Sequence, residues 1–434
     1  MNPPTAKKPL GKSFAAAGIA ALMVAFSVMS YFDRTIMSIA GPAIIREFGL
    51  SETEMGTVYS AFILSYALLM IPGGRWADRL GPRLVLTVMG LGAALFTGLT
   101  ALGGRPGLGT HVGVVPALVL IRLGLGVATA PIYPSCGRMN ANWFPETRRG
   151  RVWGFVAAGA GLGGAASPPL FSRMIARYGW RNSFWLAAAG TALLALAWYG
   201  YTRDYPEEHP SITKPSERSS QVAVKRVFNR HDRTPWRKLL TDRNLMLLTI
   251  GYFAVCYFEY LFFYWIFYYF GEVRHVEPAR TATYTALLFL TWTVMTPLGG
   301  WVSDRFVERC GRKAGRRLVP IIGLVLSAVL LGCGATVSRP AAAAGVLSLA
   351  LGFASASDGP FWAAAIDMGG AHVGAAGAVL NTGGNLGGFF APIVTPFIAS
   401  HFGWSSGLYS ASLIMMLSVL VWFFVDPTKV IRSE

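Results

Sequence analysis

Gly73-Gly74-Arg75-Trp76-Ala77-Asp78-Arg79 returns 226 residues later as Gly299-Gly300-Trp301-Val302-Ser303-Asp304-Arg305, the same Gly-Gly-x-x-x-Asp-Arg frame. Further along, Leu162-Gly163-Gly164, Pro168 and Gly179-Trp180 return as Leu386-Gly387-Gly388, Pro392 and Gly403-Trp404, each at an offset of 224. Chance matches do not hold one offset, so the chain is a duplication, and a duplication dictates the architecture. The sequence around both copies is apolar: 53% of the 434 residues are hydrophobic and 14% are charged, too few charges for a soluble surface. Stretches such as Phe14–Ser30, Leu84–Leu102, Leu245–Phe270 and Leu408–Val425 approach the length that crosses a hydrocarbon core as a helix. Phe14–Ser30 follows Lys7, Lys8 and Lys12 like a signal peptide, but the many spans behind it make it the first helix.

The expected fold is therefore an all-α membrane protein with twelve transmembrane helices in two six-helix bundles. Residues 1–203 form the first bundle, 204–244 a charged linker and 245–434 the second bundle. Two related bundles that rock about a central site are the design of a secondary transporter.

A net charge of +17 raises nucleic-acid binding, but position decides the matter. With both termini on one side, the termini and the loops after the second, fourth, sixth and eighth spans gather most of the 38 Lys and Arg. That is the asymmetry of a cytoplasmic face, so we expect a multi-pass protein of the cell (inner) membrane with both termini cytoplasmic and no nucleic-acid partner. In the linker, Lys225, Arg226, Arg230, Arg233, Arg237 and Lys238 make either a basic helix on anionic headgroups or a solvated tether. Cys136, Cys256, Cys310 and Cys333 have no ligand or disulfide spacing, so no metal and no cofactor are expected.

Two arginines, Arg34 and Arg122, stand inside apolar spans, where an unpaired charge costs several kcal/mol and usually faces a cavity or a partner. A guanidinium matches a carboxylate bidentately, so an anion is the expected ligand, with a permanent internal ion pair as the alternative. Tyr31, Tyr66 and Tyr133 are candidate hydroxyl donors, with core packing as their alternative. Asp33, Glu259 and Asp358 are the acids that fall within spans and the candidate proton carriers. The span Tyr252–Phe270 carries rings on every helical face, so most of them must meet lipid or neighbouring helices. No Gly-x-x-x-x-Gly-Lys-Ser/Thr frame appears, and no nucleophile, base and orienting acid group on one span, which argues against a nucleotide-driven pump and an enzyme.

The frame at Gly73–Arg83 resembles the loop signature of the major facilitator superfamily, and its second copy at Gly300–Arg312 is weaker. The resemblance makes Gly74, Asp78, Arg79, Arg83, Asp304 and Arg305 gating residues, with Asp78 either capping a helix or pairing with an arginine across the halves.

Within that superfamily the chain is similar to the anion:cation symporters, which include bacterial sugar-acid carriers such as the galactonate transporter, the vesicular glutamate transporters and sialin. Tyr31-Phe32-Asp33-Arg34, Ser60-Ala61-Phe62 with Tyr66, Arg122 with Gly126 and Tyr133-Pro134, Trp265 with Tyr269, and Asn381 with Asn385 carry this. It implies substrate contacts from Tyr31, Arg34, Tyr66, Arg122, Thr129, Tyr133, Trp265, Asn381 and Asn385. It also implies symport of a small organic anion, a sugar acid or other carboxylate, with a proton, by a monomer in a lipid bilayer. Two positions depart from the pattern. Thr129 stands where such symporters carry a glutamate, which leaves a proton-independent exchanger or facilitator open, and Gly159 stands where the galactonate type has a polar residue. From another class, a transporter-like membrane sensor also stays open.

Overall fold

A computed structural model describes residues 10–104, 113–212 and 236–431, and among them the only regular structure is helical. The first half comprises α1 (Leu10–Phe48), α2 (Glu52–Leu80), α3 (Pro82–Thr100), α4 (Val114–Thr129), α5 (Ile132–Trp143) and α6 (Glu146–Tyr201). A short α7 (Trp236–Thr241) leads into the second half: α8 (Arg243–Tyr268), α9 (Pro278–Thr336), α10 (Pro340–Ser355), α11 (Asp358–Gly369), α12 (Val373–Phe402) and α13 (Trp404–Phe424). Much of the linker, including Lys225, Arg226, Arg230 and Arg233, lies outside the described residues.

Among the described residues, eight helical stretches are long and apolar enough to cross a bilayer, and two of them, Arg148–Tyr201 and Pro278–Thr336, are double length. Each is two spans that turn at a glycine in left-handed backbone, Gly179 (φ 76°) and Gly311 (φ 81°), a conformation that a side chain disfavours. The bent α2 and the glycine- and asparagine-rich α12 complete twelve. α4 with α5, and α10 with α11, are single spans interrupted at Ala130-Pro131 and Ala356-Ser357.

The helices start where the sequence caps them. Ser51 and Glu54 form a reciprocal capping box at α2, and Asp242 caps α8 through Leu245. α1 runs well past Ser30, through Asp33 and Arg34, because those polar side chains face protein and not lipid.

Packing is inverted relative to a soluble protein. α3 exposes Leu84, Val88, Leu91 and Leu95 and buries Thr87, Gly90, Ala94, Thr97 and Gly98. Small residues inside let backbones approach, and large apolar ones outside meet lipid. The buried apolar side chains fall into two clusters, with α8 supplying Phe263, Tyr264 and Trp265 to the first.

The halves touch through α2 with α12, α6 with α9, and α1 with α8. A Cβ built on Gly56 would meet the Pro392 carbonyl oxygen at 1.9 Å, and one on Gly161 would meet Thr293 Oγ1 at 2.1 Å. Nearer the linker, a Cβ on Gly150, Gly154 or Gly374 would meet open space. At the opposite end, Arg46 pairs with Glu272, while Tyr268 (2.7 Å) and Trp404 (3.3 Å) both donate to Glu52. These contacts fasten the two halves together at the face far from the linker.

Candidate functional site

α1, α2 and α4 bring two cations around one ring. The Arg34 guanidinium lies 4.9 Å from the centroid of Phe62 and the Arg122 guanidinium 5.1 Å from it, so the cations are no farther apart than the sum of those distances. Rings also face Arg34 from Tyr31 (4.8 Å) and Tyr66 (4.9 Å). Such contacts are worth about 0.5–2 kcal/mol each when desolvated, and they hold an arginine without cancelling its charge.

The two arginines differ in what else they touch. Arg34 donates to the Tyr260 hydroxyl, 3.2 Å away across the halves. Arg122 is fully buried; the Tyr264 hydroxyl lies within loose hydrogen-bonding reach of its guanidinium, but its three nitrogens make no bond of good geometry among the described residues. A buried unpartnered donor costs about 1–3 kcal/mol, more when charged, so such a group marks a place where water or a ligand belongs.

Asp33, on the neighbouring position of α1, points toward α6, where its Oδ2 accepts from Thr191 Oγ1 at 2.9 Å, while its Oδ1 has no partner. It lies within electrostatic reach of Arg122 but forms no ion pair with it among the described residues. The second half contributes acids. Glu259 on α8 accepts from Trp292 Nε1 at 3.2 Å, and its carboxyl group meets that of Asp358, the first residue of α11. Hydrogen bonding between two carboxyl groups requires a proton on one of them. Tyr31 connects the two charge centres: its ring faces Arg34, stacks on Trp292 at 5.9 Å, and senses both Glu259 and Asp358.

Of the remaining candidates, Tyr133 joins the same cluster, within hydrogen-bonding reach of Tyr31 and 3.5 Å from Ser27, whereas the Thr129 hydroxyl is spent on the Leu125 carbonyl of its own helix at 2.8 Å. Asn381 reaches Met70 Sδ across the halves at 2.9 Å, and Asn385 donates to the Asn381 carbonyl. Trp265 is fully buried in packing, with its indole N–H donated to the Pro392 carbonyl at 3.1 Å.

The duplicated loop pairs within each half here. Asp78 faces Arg138 at 3.5 Å, and Asp304 faces Arg316 at 2.6 Å, with Arg316 also reaching Asp367. Gly74 packs on Pro134, where a Cβ would stand 3.4 Å from the proline side chain. Arg79 is exposed, and Arg305 lies over Trp301 and near Glu308. Arg83 ties α3 to the end of α6: its backbone N–H donates to Asp204 and its guanidinium to the Tyr199 carbonyl. Sequence reasoning did not single out Phe62, Tyr260, Tyr264 or Trp292 as site residues. Tyr260 and Tyr264 lie in a span with rings on every face, so only the packing sorts them.

The fold and the pair of buried arginines are those of a membrane transporter, and the comparisons agree: the Major Facilitator Superfamily profile matches residues 23–356, so the chain belongs to that superfamily. It is similar to a probable sulfoacetate transporter of Cupriavidus necator, at 28% identity over 96% of this chain and 95% of the relative. It is also similar to the hexuronate transporter of Bacillus subtilis (29%, 92% of each chain) and to a probable L-galactonate transporter of Escherichia coli (30%, 86% of this chain, 80% of the relative). A bacterial homologue of the human lysosomal transporter Spinster, solved inward-facing and unoccupied, shares the fold with a TM-score of 0.77. Its identity is 17%, covering 97% of this chain and 98% of that one. The family and these relatives are transporters, not enzymes.

Proposed function

We propose that the chain is a secondary active transporter that carries a small organic anion, a sugar acid or other small carboxylate, together with a proton by alternating access. The observation that carries this reading is Arg122, a fully buried cation with no well-formed hydrogen bond and no ion pair among the described residues, standing beside Arg34 in the first half. A bidentate oxyanion supplies what those donors lack. The printed names of the relatives, which include sulfoacetate and hexuronate carriers, support the same class of cargo.

In this reading Asp33 is the obligatory proton site, and Glu259 with Asp358 is a second one, joined to the anion site through Tyr31 and Trp292. Protonation removes a negative charge near the arginines, so proton and anion favour each other's binding by the same factor. The carrier works as a monomer in the cell (inner) membrane with its termini and linker cytoplasmic, so that the face fastened by Arg46 and Glu272 lies outward. Labelling of Glu208→Cys in a cysteine-free background tests the topology; reaction with an impermeant reagent outside intact cells overturns it. A proton-independent exchanger or facilitator is favoured by Thr129, which places no titratable group where related symporters carry glutamate. Uptake of glucuronate and sulfoacetate into proteoliposomes, with and without an imposed pH gradient, separates the two. Acceleration by the gradient supports symport, and uptake indifferent to it supports the second reading.

A further inference from the structure

The two copies of the Gly-Gly-x-x-x-Asp-Arg frame do not end at the same length. In the first half the left-handed turn at Gly81 (φ 84°) follows Asp78 by three residues; in the second, Gly311 (φ 81°) follows Asp304 by seven, so the eighth span runs about one helical turn farther before it reverses. The added turn carries Arg309, which is exposed and makes no ion pair or hydrogen bond among the described residues.

In this first span of α9, Leu290, Val294, Leu298 and Trp301 are all exposed, and their spacing of three or four residues puts them on one face. The same spacing carries that face on to Arg305 and then Arg309. Exposed leucine and valine meet acyl chains, a tryptophan belongs at the level of the headgroups, and arginines just beyond it stand among the phosphates. There the surface is hollowed: Trp301, Val302, Arg305, Phe306 and Arg309 line an open groove of about 420 Å³. The Arg305 guanidinium lies over the Trp301 ring at 5.6 Å, and one carboxylate, that of Glu308, stands 3.7 Å from it, so the groove keeps a positive balance. Asp304 is paired with Arg316 at 2.6 Å and does not cancel it.

We propose that this groove binds the headgroup of an anionic phospholipid in the leaflet on the linker side: the phosphate sits between Arg305 and Arg309, and an acyl chain runs back along Leu298 and Val294. A free anion would use the arginines alone, and a peptide has no access to a stripe that lies in hydrocarbon. A lipid uses both. The site requires a chain that spans a bilayer and no particular cargo, so it stands apart from the anion site of Arg34 and Arg122.

Native mass spectrometry of the purified full chain released from detergent micelles, with phosphatidylglycerol, phosphatidylcholine and inorganic phosphate as probes, tests it. The parent is expected to hold phosphatidylglycerol about thirtyfold more tightly than phosphatidylcholine, the scale of two basic side chains at an anionic headgroup, and inorganic phosphate is not expected to displace it. Arg305→Gln combined with Arg309→Gln abolishes that preference. Arg151→Gln combined with Arg243→Gln removes the same charge from exposed arginines elsewhere and keeps it. Arg309→Gln alone lowers the preference about fivefold, and because Arg309 holds no partner this single variant still reports should the double one not fold. No preference in the parent, equal loss in both double variants, or displacement by phosphate overturns the inference; equal loss means diffuse surface charge, and displacement means a site for free anions. None of these outcomes touches the reading of the chain as an anion carrier.

Discussion

Arg34 on α1 donates to the hydroxyl of Tyr260 on α8, 3.2 Å away, so a cation of the first half is held by the second half. The bond makes Tyr260 a competitor of any anion that needs Arg34. Tyr260→Phe is expected to raise anion affinity about tenfold, the scale of one hydrogen bond to a charged group released. Equilibrium titration of the purified variant measures this; weaker binding than in the parent would make the hydroxyl a contact to cargo instead.

Arg34→Lys and Arg122→Lys keep the charge and lose the planar fork. Each is expected to lower anion affinity about tenfold or more while leaving the melting temperature near that of the parent. The paired readout matters because a structural arginine would shift melting first. Affinity unchanged in both variants removes the arginines from the site.

Asp33→Asn is expected to abolish accumulation driven by a pH gradient and to spare counterflow exchange, which moves no net proton. Glu259→Gln keeps an acceptor for Trp292 and removes the titrating group, so uptake should become less dependent on pH. Gradient-driven accumulation that survives in the double variant excludes both acids as proton carriers.

Gly161 and Gly154 lie on one face of α6 but meet different surroundings. Gly161→Val drives its added atoms into Thr293 of α9, whereas Gly154→Ala enters open space. The valine is expected to cost about 1–3 kcal/mol, the usual scale of overpacking, and the alanine close to nothing in this conformation. Thermal unfolding in detergent compares them; equal melting points would mean that α6 and α9 are not in tight contact.

The fold was legible because membranes restrict the choice: apolar runs of spanning length admit helices, and the double offset of Gly73–Arg79 and Leu162–Trp180 admits two equivalent halves. The spans themselves were harder to bound. The apolar run Phe14–Ser30 marks only part of the first helix, which continues through Asp33 and Arg34 to Phe48, because polarity facing protein does not end a helix. Arg34 and Arg122 stood out by charge alone. Tyr264 did not, since its neighbours in sequence are equally aromatic, and its approach to Arg122 is visible only in the packing. Trp265 shows the converse: one position away from Tyr264, its N–H is already spent on Pro392.

The closed face is fastened partly by Arg46 and Glu272, whose side chains are 64% and 33% exposed. Charges so open to solvent are screened over about 8–10 Å at ordinary ionic strength, and a pair of this kind is worth about 1 kcal/mol or less. In a two-state carrier even that much changes the ratio of conformers several-fold. The resting bias of the protein is therefore partly set by the medium that bathes this face: dilute surroundings hold the door shut, and brine loosens it without any change in cargo.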